Sequence, residues 1–307
     1  MHDHAERMAG IYLGQTGADP GTAPCSSSDS ISPPENTFKR MNEHWKDATP
    51  LIVVGRQRAG TRFITKLLNS FPDVVIQGEI PNSIMKRVAP LIQFIDQYYL
   101  AEHAQQDNTS PPTRTFPRCG WEEKRRDLIF AIWANCTQTR RIELKGPLRY
   151  YGYKRPNNEF YFSLYEKSFS SCPPRYIYCL RKFRENFLSI SSRWPDRTIE
   201  EVADNYCASL QQYLKMKEQA PDRVRLSVLE LVVESGYEYI KSDLLQFLDL
   251  SPDARLEKKI TEEYMAPTNQ TEKIPGATRR RHLTEQEEEF LSKHPQMDDL
   301  YERVLTA

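Results

Sequence analysis

Leu51-Ile52-Val53-Val54-Gly55-Arg56-Gln57-Arg58-Ala59-Gly60-Thr61-Arg62 is the stretch on which the reading of this chain turns. The four apolar residues at its start have the length of a buried strand, and a glycine-containing turn follows at once. Beyond the turn, Phe63, Ile64, Leu67, Leu68 and Phe71 recur at helical spacing, and Pro72 ends that run. A buried strand that feeds directly into a helix is the unit from which α/β sheets are built.

The alternation continues outward. Val74–Ile76 reads as a strand ending near Glu79, and Leu128, Ile129, Ile132, Trp133 and Cys136 mark a helix with a short strand, Ile142–Leu144, behind it. Tyr176–Leu180 predicts a strand running into a helix near Arg184–Ser192. Helices are predicted over Ile199–Gln219, Gly236–Leu248 and Thr284–Val304, with a strand over Val224–Leu229. Thr284-Glu285-Gln286-Glu287 has the form of a capping box. The expected fold is α/β, a mainly parallel sheet with helices on both faces. Residues 1–44, rich in Gly, Ser, Pro and Asp at their start, are expected to form a flexible tail, with a single domain over 45–307. The proline-rich stretch Gln105–Gly120 is a lid candidate.

Bulk composition narrows the function. Lys+Arg and Asp+Glu both number 42, so no global field recruits nucleic acid or anionic membrane, and any basic site is local. The apolar runs are too short to span a bilayer, and Met1-His2-Asp3-His4 opens no secretory signal. Six scattered cysteines without paired ligand spacing read as reduced thiols, which points to the cytoplasm.

Between a strand and a helix, the turn Gly55–Gly60 is placed to cradle an anion with backbone N–H groups and the helix N-terminus. Its glycine spacing is that of the nucleotide loop G-x-x-x-x-G-K-[ST]. Thr61 stands at the lysine position, however, and Arg62 stands where a hydroxyl would ligate magnesium. An arginine has no lone pair to offer a cation. The loop is therefore expected to hold a phosphate-like group without a magnesium site, the metal set being none. The plain alternative is a βα turn with surface arginines.

Arg58-Ala59-Gly60-Thr61-Arg62 resembles the 5′-phosphosulfate loop of sulfotransferases that use 3′-phosphoadenosine 5′-phosphosulfate (PAPS) and release the 3′,5′-bisphosphate (PAP). Further elements match in order from Leu51 to the C-terminus, nearest to the tyrosylprotein and heparan-type branch. The resemblance implies a P-loop-NTPase-like sulfotransferase fold. It also implies that Arg181, ending a strand, and Ser189, eight residues on, grip the 3′-phosphate of the donor. A guanidinium offers two-pronged phosphate recognition and a hydroxyl adds a neutral donor. Phe183 stands where that family usually has proline, and Ser189 bonded to its own helix backbone is the alternative.

An acceptor hydroxyl needs a base. The six histidines lie outside the motifs, and Pro147 occupies the position of the histidine used by cytosolic members. Phe71-Pro72-Asp73-Val74-Val75-Ile76-Gln77-Gly78-Glu79 resembles the tyrosylprotein-type segment, which implies Glu79 as base. Lys145 matches that branch's charge-stabilising lysine, with Arg58 sharing the work. Near the C-terminus, Arg279, Arg280 and Arg281 occupy a loop that closes over the nucleotide in the family, and Thr268 and Asn269 precede it. Tyr150–Arg155 and Gln93–Leu100, both rich in aromatics, are expected to wall the acceptor pocket. The expected activity is metal-independent sulfuryl transfer from PAPS to a hydroxyl or amine of a soluble small molecule. The alternatives are a non-catalytic PAPS/PAP-binding module and a divergent P-loop kinase, the latter opposed by Thr61 and Arg62.

Overall fold

The computed structural model describes residues 45, 47–105, 121–136, 147–264 and 280–307. Its sheet consists of β1 (Thr49–Gly55), β2 (Val74–Gln77), β3 (Tyr150–Lys154), β4 (Arg175–Leu180) and β5 (Val224–Val228). Their spatial order is β2-β3-β1-β4-β5, and every neighbouring pair is parallel. Between and after them come α1 (Thr61–Leu68), α2 (Asn82–Gln105), α3 (Trp121–Asn135), α4 (Phe162–Ser168), α5 (Phe183–Ser191) and α6 (Ile199–Gln219). Then follow α7 (Leu229–Tyr239), which continues as a π-helical turn Ile240–Leu245, α8 (Ala254–Lys259), α9 (Glu285–Lys293) and α10 (Gln296–Thr306).

The strands are buried on both faces, which is why they read as apolar runs rather than alternations. On one face Leu51, Val53, Ile76 and Cys179 share a core with Ile64, Leu67 and Leu68 of α1 and with Val232 and Ile240. On the other, Ile52, Val54, Tyr151 and Tyr178 pack with Trp133 of α3 and with Tyr206 and Tyr213 of α6. From β1 the chain crosses to β2 on one side, whereas from β4 it crosses to β5 on the opposite side. Their carboxyl ends therefore flank a topological switch point, where open α/β sheets bind ligands. The loops leaving β1 and β4 both emerge there.

Three expectations change. Tyr150–Arg155 does not wall a pocket through its tyrosines: Tyr150–Lys154 forms β3, and Tyr150, Tyr151 and Tyr153 are core residues at 4%, 0% and 0% exposure. Gly152 sits against β1 so closely that a Cβ there would lie 1.8 Å from the Leu51 carbonyl oxygen. The single helix expected over Thr284–Val304 is two, α9 and α10, because Pro295 caps the second and has no N–H to continue the first. The helix expected from Gly236 starts earlier, at Leu229, with Gly236 as a kink at φ 62. The tail over 1–44, the strand Ile142–Leu144 and all of the lid stretch except Gln105, which ends α2, lie outside the described residues. Among the described residues no helix is long and apolar enough to cross a membrane. Cys136, Cys172, Cys179 and Cys207 are free thiols.

Candidate functional site

The loop from β1 to α1 is shaped by three left-handed residues: Gly55 at φ 117, Arg58 at φ 67 and Gly60 at φ 96. A side chain at Gly55 would meet the Cys179 carbonyl oxygen at 2.2 Å, so the close passage of β1 against β4 needs glycine. Interspersed left-handed residues are how a backbone makes an anion-holding concavity. Gly60, which has no side chain to cap with, is the N-cap of α1, and among the described residues the first turn carries no acid. The first-turn N–H groups and the positive end of the helix dipole are thus available to an anion.

Guanidinium groups converge on this point. Arg58 Nε donates to Ser189 Oγ at 2.9 Å, joining the loop to the last turn of α5. Arg181, directly after β4, donates to the Arg58 carbonyl at 3.4 Å, and its guanidinium lies 3.7 Å from the Glu185 carboxylate. Asn186 Nδ2 donates to the Gln57 carbonyl at 2.7 Å, so α5 holds the loop at a second place. The Arg58 guanidinium is held below its ordinary pKa, first by burial and then by the positive charges of Arg193, Arg181 and Arg62. Three like charges therefore act on the Arg58 guanidinium, an arrangement that an anion beside it relieves. Arg193 was missed by sequence reasoning; it lies just beyond α5 and stacks over the Trp194 ring at 5.2 Å. Ser191 and Ser192 bond back to the Leu188 carbonyl, whereas Ser189 meets Arg58. Ala59 is buried, Thr61 is 4% exposed as the first residue of α1, and Arg62 is exposed beside Arg58.

The other loop arginine goes the opposite way. Arg56 is 6% exposed, and its guanidinium donates to Asn157 Oδ1 at 2.8 Å in the turn after β3. Beside it lies Glu159, fully buried at 0%. Its Oε2 accepts the Gly55 N–H at 3.2 Å, and Ser209 Oγ donates to its Oε1. Burial pushes this carboxyl up, opposed by the Ser209 hydroxyl, the nearby Arg56 charge and the Gly55 N–H.

Glu79 lies two residues past β2 at the same end of the sheet, with its side chain half exposed. Its partner is Lys154, the last residue of β3, whose Nζ lies 2.5 Å from Glu79 Oε1 while its own side chain is 9% exposed. Sequence reasoning quoted Lys154 only within an aromatic stretch. Lys145, Arg279, Thr268 and Asn269 lie outside the described residues. Arg280 is engaged with α9: it donates to Glu287 Oε1 at 2.8 Å and stacks over the Phe187 ring at 5.7 Å. Its backbone N–H donates to Ser192 Oγ at 2.8 Å, which places the end of the C-terminal loop against α5. Arg281 is exposed.

No family model matches the sequence, and no curated protein matches it. Similar solved structures include the sulfotransferase domain of the olefin synthase of Synechococcus PCC 7002. It is 11% identical at a TM-score of 0.44, covering 80% of this chain and 94% of that one. Sulfotransferase STF9 from Mycobacterium avium is 13% identical at a TM-score of 0.43, covering 84% and 79%. The sulfotransferase domain from the curacin biosynthetic pathway is 11% identical at a TM-score of 0.42, covering 80% and 97%. At such low identity and score, no residue role passes from them to this chain.

Proposed function

We propose that this chain is a sulfotransferase that moves a sulfuryl group from PAPS to a hydroxyl or amine of a small soluble acceptor, and that it works in the cytoplasm. The observation that supports this most is the convergence of Arg58, Arg62, Arg181 and Arg193 on the uncapped start of α1, at the switch point between β1 and β4. A dense cationic site without a magnesium-ligating hydroxyl suits a donor whose charge is met by arginine and backbone alone. The loop Arg58-Ala59-Gly60-Thr61-Arg62 takes the 5′-phosphosulfate, and Arg181 with Ser189 takes the 3′-phosphate. Of the C-terminal arginines, Arg281 and Arg279 are the ones proposed to reach the nucleotide, since the Arg280 guanidinium is engaged by Glu287.

The acceptor oxygen or nitrogen attacks sulfur as the sulfur–oxygen bond to the phosphate breaks. The proton leaves the acceptor for Glu79, and the electron pair leaves with the bisphosphate PAP. Arg58 and Lys145 neutralise that leaving charge, while Lys154 holds the Glu79 carboxylate at the strand end. Phe94, 66% exposed on α2 within the segment Gln93–Leu100, is an apolar surface for the acceptor.

The test is thermal stabilisation by PAP set against ATP with magnesium, followed by transfer from labelled PAPS to a metabolite panel in excess EDTA. PAP at a hundredfold its Kd adds about 2.7 kcal/mol. Stabilisation by ATP–magnesium alone, or a strict metal requirement for transfer, overturns the reading in favour of a kinase.

A further inference from the structure

β3 pairs with β1 only as far as Lys154 opposite Val53, so the strand ladder stops two residues short of the end of β1. The chain after β3 nevertheless stays on β1. Arg155 N–H donates to the Val53 carbonyl at 3.2 Å, and Asn157 N–H donates to the Gly55 carbonyl at 3.0 Å. The amide of Gly55 itself has no strand carbonyl from β3 to meet, and a buried amide without a partner costs about as much as a lost hydrogen bond. Glu159 Oε2 supplies the partner from the turn Asn158–Tyr161.

The rest of that carboxyl is tied down from the far side. Ser209, buried in the middle of α6, donates to Oε1, and Tyr178 of β4 shares a 2.6 Å bond with the Ser209 hydroxyl. Each of these hydroxyls both donates and accepts, so the chain Tyr178–Ser209–Glu159 runs in either direction. Whether Glu159 is ionised or protonated on Oε1, Oε2 still accepts the Gly55 N–H. One side chain thus ties the last residue of β1 to β4 and α6, immediately behind the residues that curl towards the anion.

We propose that Glu159 is the positioning residue of the anion loop: by reach rather than by charge, it fixes the Gly55 peptide and so the direction in which Arg58 and the start of α1 face. It touches no ligand, and the proposal rests on the reading of the loop as the donor site.

Two conservative variants separate reach from charge. Glu159→Gln keeps the length, accepts from Gly55 through its carbonyl and donates to Ser209 through its amide. Glu159→Asp keeps the carboxylate and draws it back by one methylene. In ligand-free protein, hydrogen exchange at the Gly55 amide is expected to stay slow in wild type and Glu159→Gln and to quicken at least tenfold in Glu159→Asp. PAP affinity is expected to stay within about threefold in Glu159→Gln and to fall about tenfold in Glu159→Asp, with the KM of the acceptor unchanged. A purely structural role predicts lower melting temperatures with no change in PAP affinity, and that result overturns the proposal. So does the reverse ranking, in which Asp behaves as wild type and Gln fails. If wild type does not bind PAP, the donor reading falls, and the Gly55 exchange rates still decide whether Glu159 sets the loop.

Discussion

Two helices begin side by side at the carboxyl edge of the sheet, α1 after β1 and α5 after β4, and they are finished in opposite ways. At α5, the backbone N–H of Lys182 donates to Glu230 Oε1 at 3.1 Å, and Glu185 sits in the first turn. Carboxylates therefore occupy the positive end of that dipole, an arrangement that stabilises the helix by itself. At α1 the N-cap is Gly60, which has no side chain to cap with, its first turn carries no acid, and among the described residues the charges acting on Arg58 beside it are guanidiniums. The same local physics makes one terminus a finished structural end and the other a place that gains from a ligand. Neighbouring charge, rather than the helix start as such, distinguishes them.

Turnover and anion capture separate in the largest expected effect. Glu79→Gln leaves both helix termini as they are, so PAP affinity is expected to hold while kcat falls by about 10²–10⁴, the range for a lost general base. Normal turnover in that variant removes Glu79 from the mechanism. Next comes Arg58→Glu, which gives the α1 edge the charge of the α5 edge. PAP binding measured by calorimetry is expected to weaken by more than about a hundredfold, since a charge-assisted bond worth roughly 1.5–3 kcal/mol becomes a repulsion. Retained affinity breaks the comparison outright.

Arg181→Ala is expected to cost PAP about 10- to 100-fold in affinity for the same reason, and to leave the 5′-phosphate analogue that lacks a 3′-phosphate nearly unchanged. Equal weakening of both ligands assigns Arg181 to loop support through the Arg58 carbonyl instead. Arg193 is exposed, so its field is screened; Arg193→Ala is expected to weaken PAP about threefold at low salt and hardly at all at 0.5 M. The smallest effect is at the finished end. Glu230→Ala removes the acceptor for the Lys182 N–H and is expected to lower stability by about 0.5–1.5 kcal/mol in thermal unfolding, with PAP affinity unchanged within twofold.

What could be read from the chain alone follows from how locally each feature is encoded. β1, α1, β4 and α6 announced themselves by apolar runs and helical spacing that end at a glycine, a proline or a polar cap. β3 did not, because Tyr150-Tyr151-Gly152-Tyr153-Lys154 carries polar atoms on a strand buried on both faces, and its tyrosines look like the lining of a cleft. The signal that would have found it is Gly152, a residue without a side chain amid large ones, where the next strand comes too close for a Cβ. Arg58 was visible because it sits in the glycine-spaced turn after β1, and Arg181 because it directly follows β4. Lys154, Arg193 and Glu159 were not, since their roles depend on partners far away in the chain, such as Gly55 at a separation of 104 residues from Glu159.

Arg58 holds a backbone conformation that glycine adopts freely and other residues adopt at roughly 1–3 kcal/mol. A directed search for thermal tolerance would thus be drawn to this position, where Arg58→Gly both relaxes the backbone and dilutes a repulsive cluster. The same change deletes the guanidinium that meets Ser189 at the mouth of the site. Selection for robustness and selection for turnover pull in opposite directions at one codon, so a library sorted on heat resistance alone would enrich for chains that are sturdier and chemically silent.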